Sequence, residues 1–300
     1  DEALSIPTII DQFSNIDKNP YESIAKKVNQ KKIKYVVTIA RGTSDCAALY
    51  SSYIFAKYLG LPTYSMPPSI ITLEQSKFDF SEALVIVISQ SGKSADLVEC
   101  ERKSRLMGAN TIIITNNIDS PIIKEANYFL NMFAGEEKSV AATKTFTETL
   151  LVLIKLVFIC LGNKNINDDI KKMSEIIVND SSNEWNTDVI DKNINTGFII
   201  GRGVGFALSN EISLKFKELC QEMIEPFSSA EVMHGPKSLI ENSFKLFLLG
   251  MNDKSGLTVN KDVNELKNYT NLIYEMSSNA NTKSDFFYPS NKILELDSVI

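Results

Sequence analysis

Ala83-Leu84-Val85-Ile86-Val87-Ile88-Ser89-Gln90-Ser91-Gly92-Lys93-Ser94 joins six apolar residues, four of them β-branched, to a turn rich in hydroxyls with one glycine. The apolar run shows no in/out alternation, so it reads as a strand buried on both faces, the pattern of a parallel sheet covered by helices. The turn is followed by a helical pattern over Ala95–Met107. A strand that ends in small hydroxyl residues and opens a helix places free amides, a positive dipole end and side-chain donors together. Such a turn either cradles an anion or is an ordinary serine–glycine turn with an N-cap, and a second loop able to converge on it favours the anion.

The same grammar extends outward in both directions. Ile33–Ala40, Thr111–Thr115, Phe198–Ile200 and Phe244–Leu249 are further short apolar runs. Asp45–Tyr58, Thr143–Leu161, Phe206–Gln221 and Asn260–Ser278 are expected to be helices. Alternation of the two predicts an α/β fold of doubly wound type. Ile39-Ala40-Arg41-Gly42 is echoed 161 residues later by Ile200-Gly201-Arg202-Gly203, and the following strands are offset by nearly the same distance. Equal offsets predict two copies of one α/β unit, over 1–165 and 193–300, with a helical connection at 166–192. Only the first copy ends its second strand in hydroxyls. The other ends in Gly250-Met251-Asn252-Asp253, so phosphate is expected in the first copy alone.

Composition narrows the partners. The chain has 300 residues, 44% of them hydrophobic, with a net charge of -6 and a pI near 5.1. No basic tract points to nucleic acid. Leu150–Leu161 is the longest apolar stretch, is interrupted by Lys155, and is too short to span a bilayer. Cys46, Cys100, Cys160 and Cys220 are dispersed, which suggests a reduced, cytoplasmic setting and offers no zinc pattern. The first residues, from Asp1, lack the basic start and apolar run of a signal peptide. Neither a metal nor an organic cofactor is called for.

Beyond Ser89–Ser94, the turn Gly42-Thr43-Ser44 closes the earlier strand and can address the same anion, and Gly135–Lys144 precedes a long helix and can cover it. The G-x-x-x-x-G-K-[ST] and G-x-G-x-x-G spacings are both absent. Glu211 and Glu218, two helical turns apart, share a face with Lys215, which by spacing alone favours a solvated Glu–Lys pairing. His234, the single histidine, precedes Gly235-Pro236, a turn that presents its ring. A carboxylate and an imidazole are what aldose–ketose proton transfer and sugar-ring opening need.

Taken in order, Gly42-Thr43-Ser44, Ser89-Gln90-Ser91-Gly92, Val140-Ala141-Ala142-Thr143-Lys144, Glu211–Glu218 and Ala230-Glu231-Val232-Met233-His234-Gly235-Pro236 resemble the sugar isomerase (SIS) domain proteins over roughly residues 20–250. The likeness extends to the isomerase half of glutamine–fructose-6-phosphate aminotransferase and to glucosamine-6-phosphate deaminases of SIS type. It implies phosphate ligands at Thr43, Ser44, Ser89, Gln90, Ser91 and Ser94, and sugar contacts at Val140, Ala142 and Lys144. It also implies Glu218 as the base between carbons 1 and 2, Glu211 as a second carboxylate, and His234 as the ring-opening residue of a homodimer with shared sites. Ala142 stands where the aminotransferase has serine. The chain shows no glutaminase domain, and it ends before the lysine-bearing tail of the family. The expected activity is therefore deamination of glucosamine 6-phosphate. A fructosamine-6-phosphate deglycase and a non-catalytic sugar-phosphate sensor are the alternatives.

Overall fold

The structure, a computed structural model, describes residues 2–180, 185–193, 195–241, 243–278, 284–291 and 293–299. The chain resolves into two compact units, Asp1–Ser174 and Glu175–Ile300.

In the first unit the elements run α1 (Ile6–Ser14), α2 (Asn19–Asn29), β1 (Tyr35–Ile39), α3 (Thr43–Ile54), β2 (Thr63–Ser65), α4 (Pro68–Thr72), β3 (Ala83–Ile88), α5 (Ala95–Leu106), β4 (Asn110–Thr115), β5 (Tyr128–Asn131) and α6 (Lys144–Cys160); α7 (Ile166–Asp180) follows. All strand pairs are parallel, in the order β2-β1-β3-β4-β5. Every residue of β3 is buried, as its unbroken apolar run requires. Leu97 and Cys100 of α5 pack with Val37, Val85 and Ile113 in the core on one side of the sheet.

The second unit repeats this plan. Its elements are β6 (Thr196–Gly201), α8 (Val204–Lys215), β7 (Met223–Ser228), α9 (Ser229–Val232), β8 (Lys245–Gly250), α10 (Lys254–Leu266), β9 (Ile273–Ser277) and β10 (Phe286–Phe287). Its sheet order, β10-β9-β8-β6-β7, is the first order read from the other edge. The repetition reaches the backbone dihedrals. Gly42 caps α3 at φ 57°, ψ -134°, and Gly203 caps α8 at φ 60°, ψ -133°. Both helices then loosen into a π-turn, Phe55–Leu59 and Phe216–Cys220, each ended by a left-handed residue, Gly60 and Gln221.

One expected element is corrected. The helix expected over Asn260–Ser278 belongs to α10 only as far as Leu266, and Ile273–Ser277 is a strand paired with β8 from Leu246↔Ile273 to Gly250↔Ser277. A short apolar run has no period long enough to separate helix from strand, and pairing with β8 decides it.

Candidate functional site

Strand order reverses between β1 and β3, and beyond the carboxyl ends of strands at such a switch point open α/β sheets bind ligands. Gly42-Thr43-Ser44 leaves β1 and Ser89–Ser94 leaves β3, so this topology brings the two predicted anion turns to one place. Ser89 is buried and its Oγ accepts from Gly92 N at 3.2 Å, while Ser91 Oγ accepts from Lys93 N at 3.3 Å. Ser94 is the residue before α5, yet its hydroxyl makes no capping bond to the helix. Gly92 has no substitute: at φ +62° an added Cβ would lie 2.4 Å from Ser120 Oγ and 2.5 Å from Ser120 Cβ. The turn is therefore pressed against the Ser120 segment by a missing side chain.

Charge around the turn is balanced locally. Asp96, in the first turn of α5, would oppose an anion, but Arg41 at the end of β1 pairs with it. Asp45, in the first turn of α3, has its carboxyl pushed above the usual range by burial, against a weak bond from Ser65.

The loop Gly135–Thr143 is built from carboxylates. Glu137 accepts from Thr143 N at 2.8 Å, from Thr145 N at 3.3 Å and from Thr145 Oγ1, and so caps α6. Glu2 accepts from Lys138 N at 2.7 Å and Ser139 N at 3.4 Å. Lys144 is committed to the same assembly: its Nζ donates to Glu136 O at 2.5 Å and lies 3.8 Å from Glu2. Val140, at the apex, is 99% exposed, and Ala142 is half-buried. Nothing near Glu2 in sequence announces its partners 136 residues away. Glu137 is more legible, standing six residues before Thr143, the residue that precedes the helix it caps.

In the second unit, Lys215 Nζ lies 3.1 Å from Glu211 and 2.7 Å from Glu218, so one ammonium joins both carboxylates. Burial pulls Lys215 down, but its bonds to Glu218 and Glu211 outweigh that and leave its pKa raised. The face is solvated at one end only: Glu211 is 5% exposed and buried, Lys215 is partly buried, and Glu218 is exposed. Glu218 stands in the π-turn, which belongs to the repeat, since α3 ends the same way. His234 lies in the turn after α9, its N–H donating to Glu231 O at 3.0 Å, and its ring is exposed. Among the described residues no hydrogen bond or ion pair joins that ring to the Glu211–Lys215–Glu218 set.

The second unit's own switch point is filled differently. Asp253 Oδ1 accepts from Ser255 N at 2.8 Å, Gly256 N at 3.1 Å and Ser255 Oγ at 2.5 Å. A carboxylate thus sits on the amides of α10 where an anion would dock, beside a cavity of about 260 Å³.

A family model described as SIS domain matches residues 30–159. The chain is 34% identical over 283 residues to glutamine–fructose-6-phosphate aminotransferase [isomerizing] of Sulfurisphaera tokodaii, covering 92% of this chain and 46% of that protein. It spans about half the length of the curated relatives it matches. A crystal structure from Silicibacter pomeroyi described as a phosphosugar isomerase superposes with a TM-score of 0.87 at 28% identity, covering 99% and 92% of the two chains. Glucosamine-6-phosphate deaminase of Thermotoga maritima shares the fold, with a TM-score of 0.73 at 22% identity over 100% and 91%. No helix among the described residues is long and apolar enough to cross a membrane.

Proposed function

We propose, from the premise that this chain is a SIS-domain protein, that it is a sugar-phosphate isomerase that deaminates glucosamine 6-phosphate to fructose 6-phosphate and ammonia. The observation that carries this reading is the Ser89–Ser94 turn, held by Gly92 at the β1/β3 switch point immediately before α5, with the Ser94 hydroxyl making no capping bond to that helix. A phosphoryl group there takes amide hydrogens and the hydroxyls of Ser44, Ser89, Ser91 and Ser94. Thr43 and Gln90 belong to the same two turns.

The chemistry that follows uses few groups. His234 assists opening of the sugar ring. Glu218 removes the proton from carbon 2 of the open-chain aldose and returns it to carbon 1, passing through an enolamine. The resulting ketimine takes up water, releasing ammonia and leaving the ketose phosphate. Lys215 holds the two carboxylates side by side, and Glu218 meets substrate as the base. Glu211 is the second carboxylate of that set. Val140 and Ala142 face the sugar, while Lys144 holds their loop. The acting form is a homodimer with sites shared between subunits.

A second reading follows from the 34% identity to an aminotransferase: the same isomerisation run toward the amino sugar, as half of a larger enzyme. Ammonia and fructose 6-phosphate are measured together with glucosamine 6-phosphate supplied. Equal release of both, lost in Glu218→Gln with binding retained, supports deamination. Formation of glucosamine 6-phosphate from fructose 6-phosphate and ammonium at a higher kcat/KM than ammonia release from glucosamine 6-phosphate supports the second reading. Binding without turnover in either direction refutes both.

A further inference from the structure

We propose that Asn116 is a positioning residue that ties the phosphate turn to the sugar-facing loop, so that a phosphoryl group docked on the first orders the second. This rests on the reading of Ser89–Ser94 as the phosphate site. Asn116 follows the last residue of β4, the strand beside β3. Its main-chain N–H donates to Gln90 O at 3.1 Å, inside the phosphate turn. Its neighbours hold the same turn: Thr115 Oγ1 donates to Gln90 O at 3.1 Å, and Asn117 Nδ2 donates to Ser91 O at 3.3 Å.

The Asn116 side chain reaches the other way. Its Oδ1 accepts from Ala134 N at 2.9 Å, and its Nδ2 donates to Gly135 O at 2.6 Å. These two residues are the root of the Gly135–Thr143 loop. The backbone there is tightly prescribed: Phe133 and Gly135 both have positive φ, 58° and 66°, on either side of Ala134, and Phe133 N donates to Asn131 Oδ1 at 2.9 Å. A side chain at 116 must accept from one peptide and donate to the next, which a carboxylamide does and neither aspartate nor an aliphatic residue can. Beyond this root the loop is clipped by Glu137 and Glu2, with Val140 at its exposed apex.

A short bonded path therefore runs from phosphate ligands to sugar ligands: Gln90 carbonyl, Asn116 amide, Ala134–Gly135, then the loop. Through it, binding energy of the non-reacting phosphate is used to place groups near the reacting carbons. The carboxylamide makes the coupling specific to substrates that carry both parts.

The test is amide hydrogen exchange on the full chain, with and without saturating inorganic phosphate, in wild type, Asn116→Ala and Asn116→Asp. In wild type, phosphate slows exchange across residues 134–143 by at least about 5-fold. In Asn116→Ala, phosphate binds within about 3-fold of wild type by calorimetry, but the loop response is gone and kcat/KM for the sugar phosphate falls about 10-fold or more. Asn116→Asp keeps the acceptor for Ala134 N, checks that folding survives, and shows a reduced response. An unchanged loop response in Asn116→Ala overturns the coupling. So does phosphate binding to wild type without any loop response. If wild type binds no phosphate at all, the reading of the turn itself fails and the coupling falls with it.

Discussion

Replacing Gly92 by alanine tests the architecture of the phosphate turn directly. Two separate penalties act. A non-glycine residue at φ +62° costs about 1–2 kcal/mol. The new Cβ also meets Ser120 Oγ at 2.4 Å, Ser120 Cβ at 2.5 Å and Thr115 Oγ1 at 3.0 Å, and crowding of this kind costs about 1–3 kcal/mol. Ser120 is fully buried and its hydroxyl has no hydrogen-bond partner among the described residues, so it cannot turn aside toward a bond. The variant is therefore expected to lose about 2–5 kcal/mol by urea unfolding, with weakened binding of inorganic phosphate by calorimetry. Ser120→Gly separates the penalties. In the double variant the crowding share is recovered as a coupling of about 1–3 kcal/mol, while the share due to φ remains. A cost below about 0.5 kcal/mol for Gly92→Ala, or no coupling with Ser120→Gly, refutes the claim that the missing side chain sets the turn.

Two further outcomes concern carboxylates. Glu148 of α6 is fully buried, neither oxygen has a hydrogen-bond partner among the described residues, and burial pushes its carboxyl well above the usual 4.5. The folded state thus holds this proton more tightly than the unfolded one. Stability is greatest below pH 4.5 and falls by about 1.4 kcal/mol per pH unit above it, until the folded carboxyl itself ionises. Glu148→Gln removes that slope, so its stability relative to wild type should rise across urea titrations at pH 5, 6 and 7; a constant difference would show that Glu148 is ionised in the fold. Asp253→Ala removes the cap on α10 and should cost about 0.5–2 kcal/mol, a deficit that narrows as inorganic phosphate is added and occupies the freed amides. A deficit indifferent to phosphate means that Asp253 is only a helix cap.

What could be read from sequence follows burial closely. The interior strands β1, β3, β4, β6 and β8 each carry a run that must be apolar on both faces, and each was visible. The edge strands β2, β5, β7 and β10 were not. Tyr64 and Ser65 are exposed and Thr63 is only partly buried, and Met223–Ser228 contains Pro226, which an edge tolerates and an interior strand does not. β9 is interior but carries Glu275 and Ser277 and is buried only at Tyr274 and Ser277, so its sequence reads as a continuation of α10. The site divides in the same way. Serines and glycine at a strand end advertise an anion turn, because that chemistry is local. Glu2, Asn116 and Ser120 gave no signal, because each matters only through a residue brought to it by the fold: Lys138, Gln90 and Gly92 respectively. The Glu211–Lys215–Glu218 pairing is legible from spacing, but the burial of Glu211 is not, since that depends on what packs over α8.

The doubled architecture means that the switch point between β1 and β3 has a counterpart between β6 and β8. Two open anion pockets would make such a chain a two-ligand protein, with saturation and specificity tangled between copies. Asp253 avoids this with one side chain. It acts as a resident ligand that never dissociates, present at an effective concentration no solute can match. One carboxylate thus occupies the amides of the repeated turn and caps the helix that follows it.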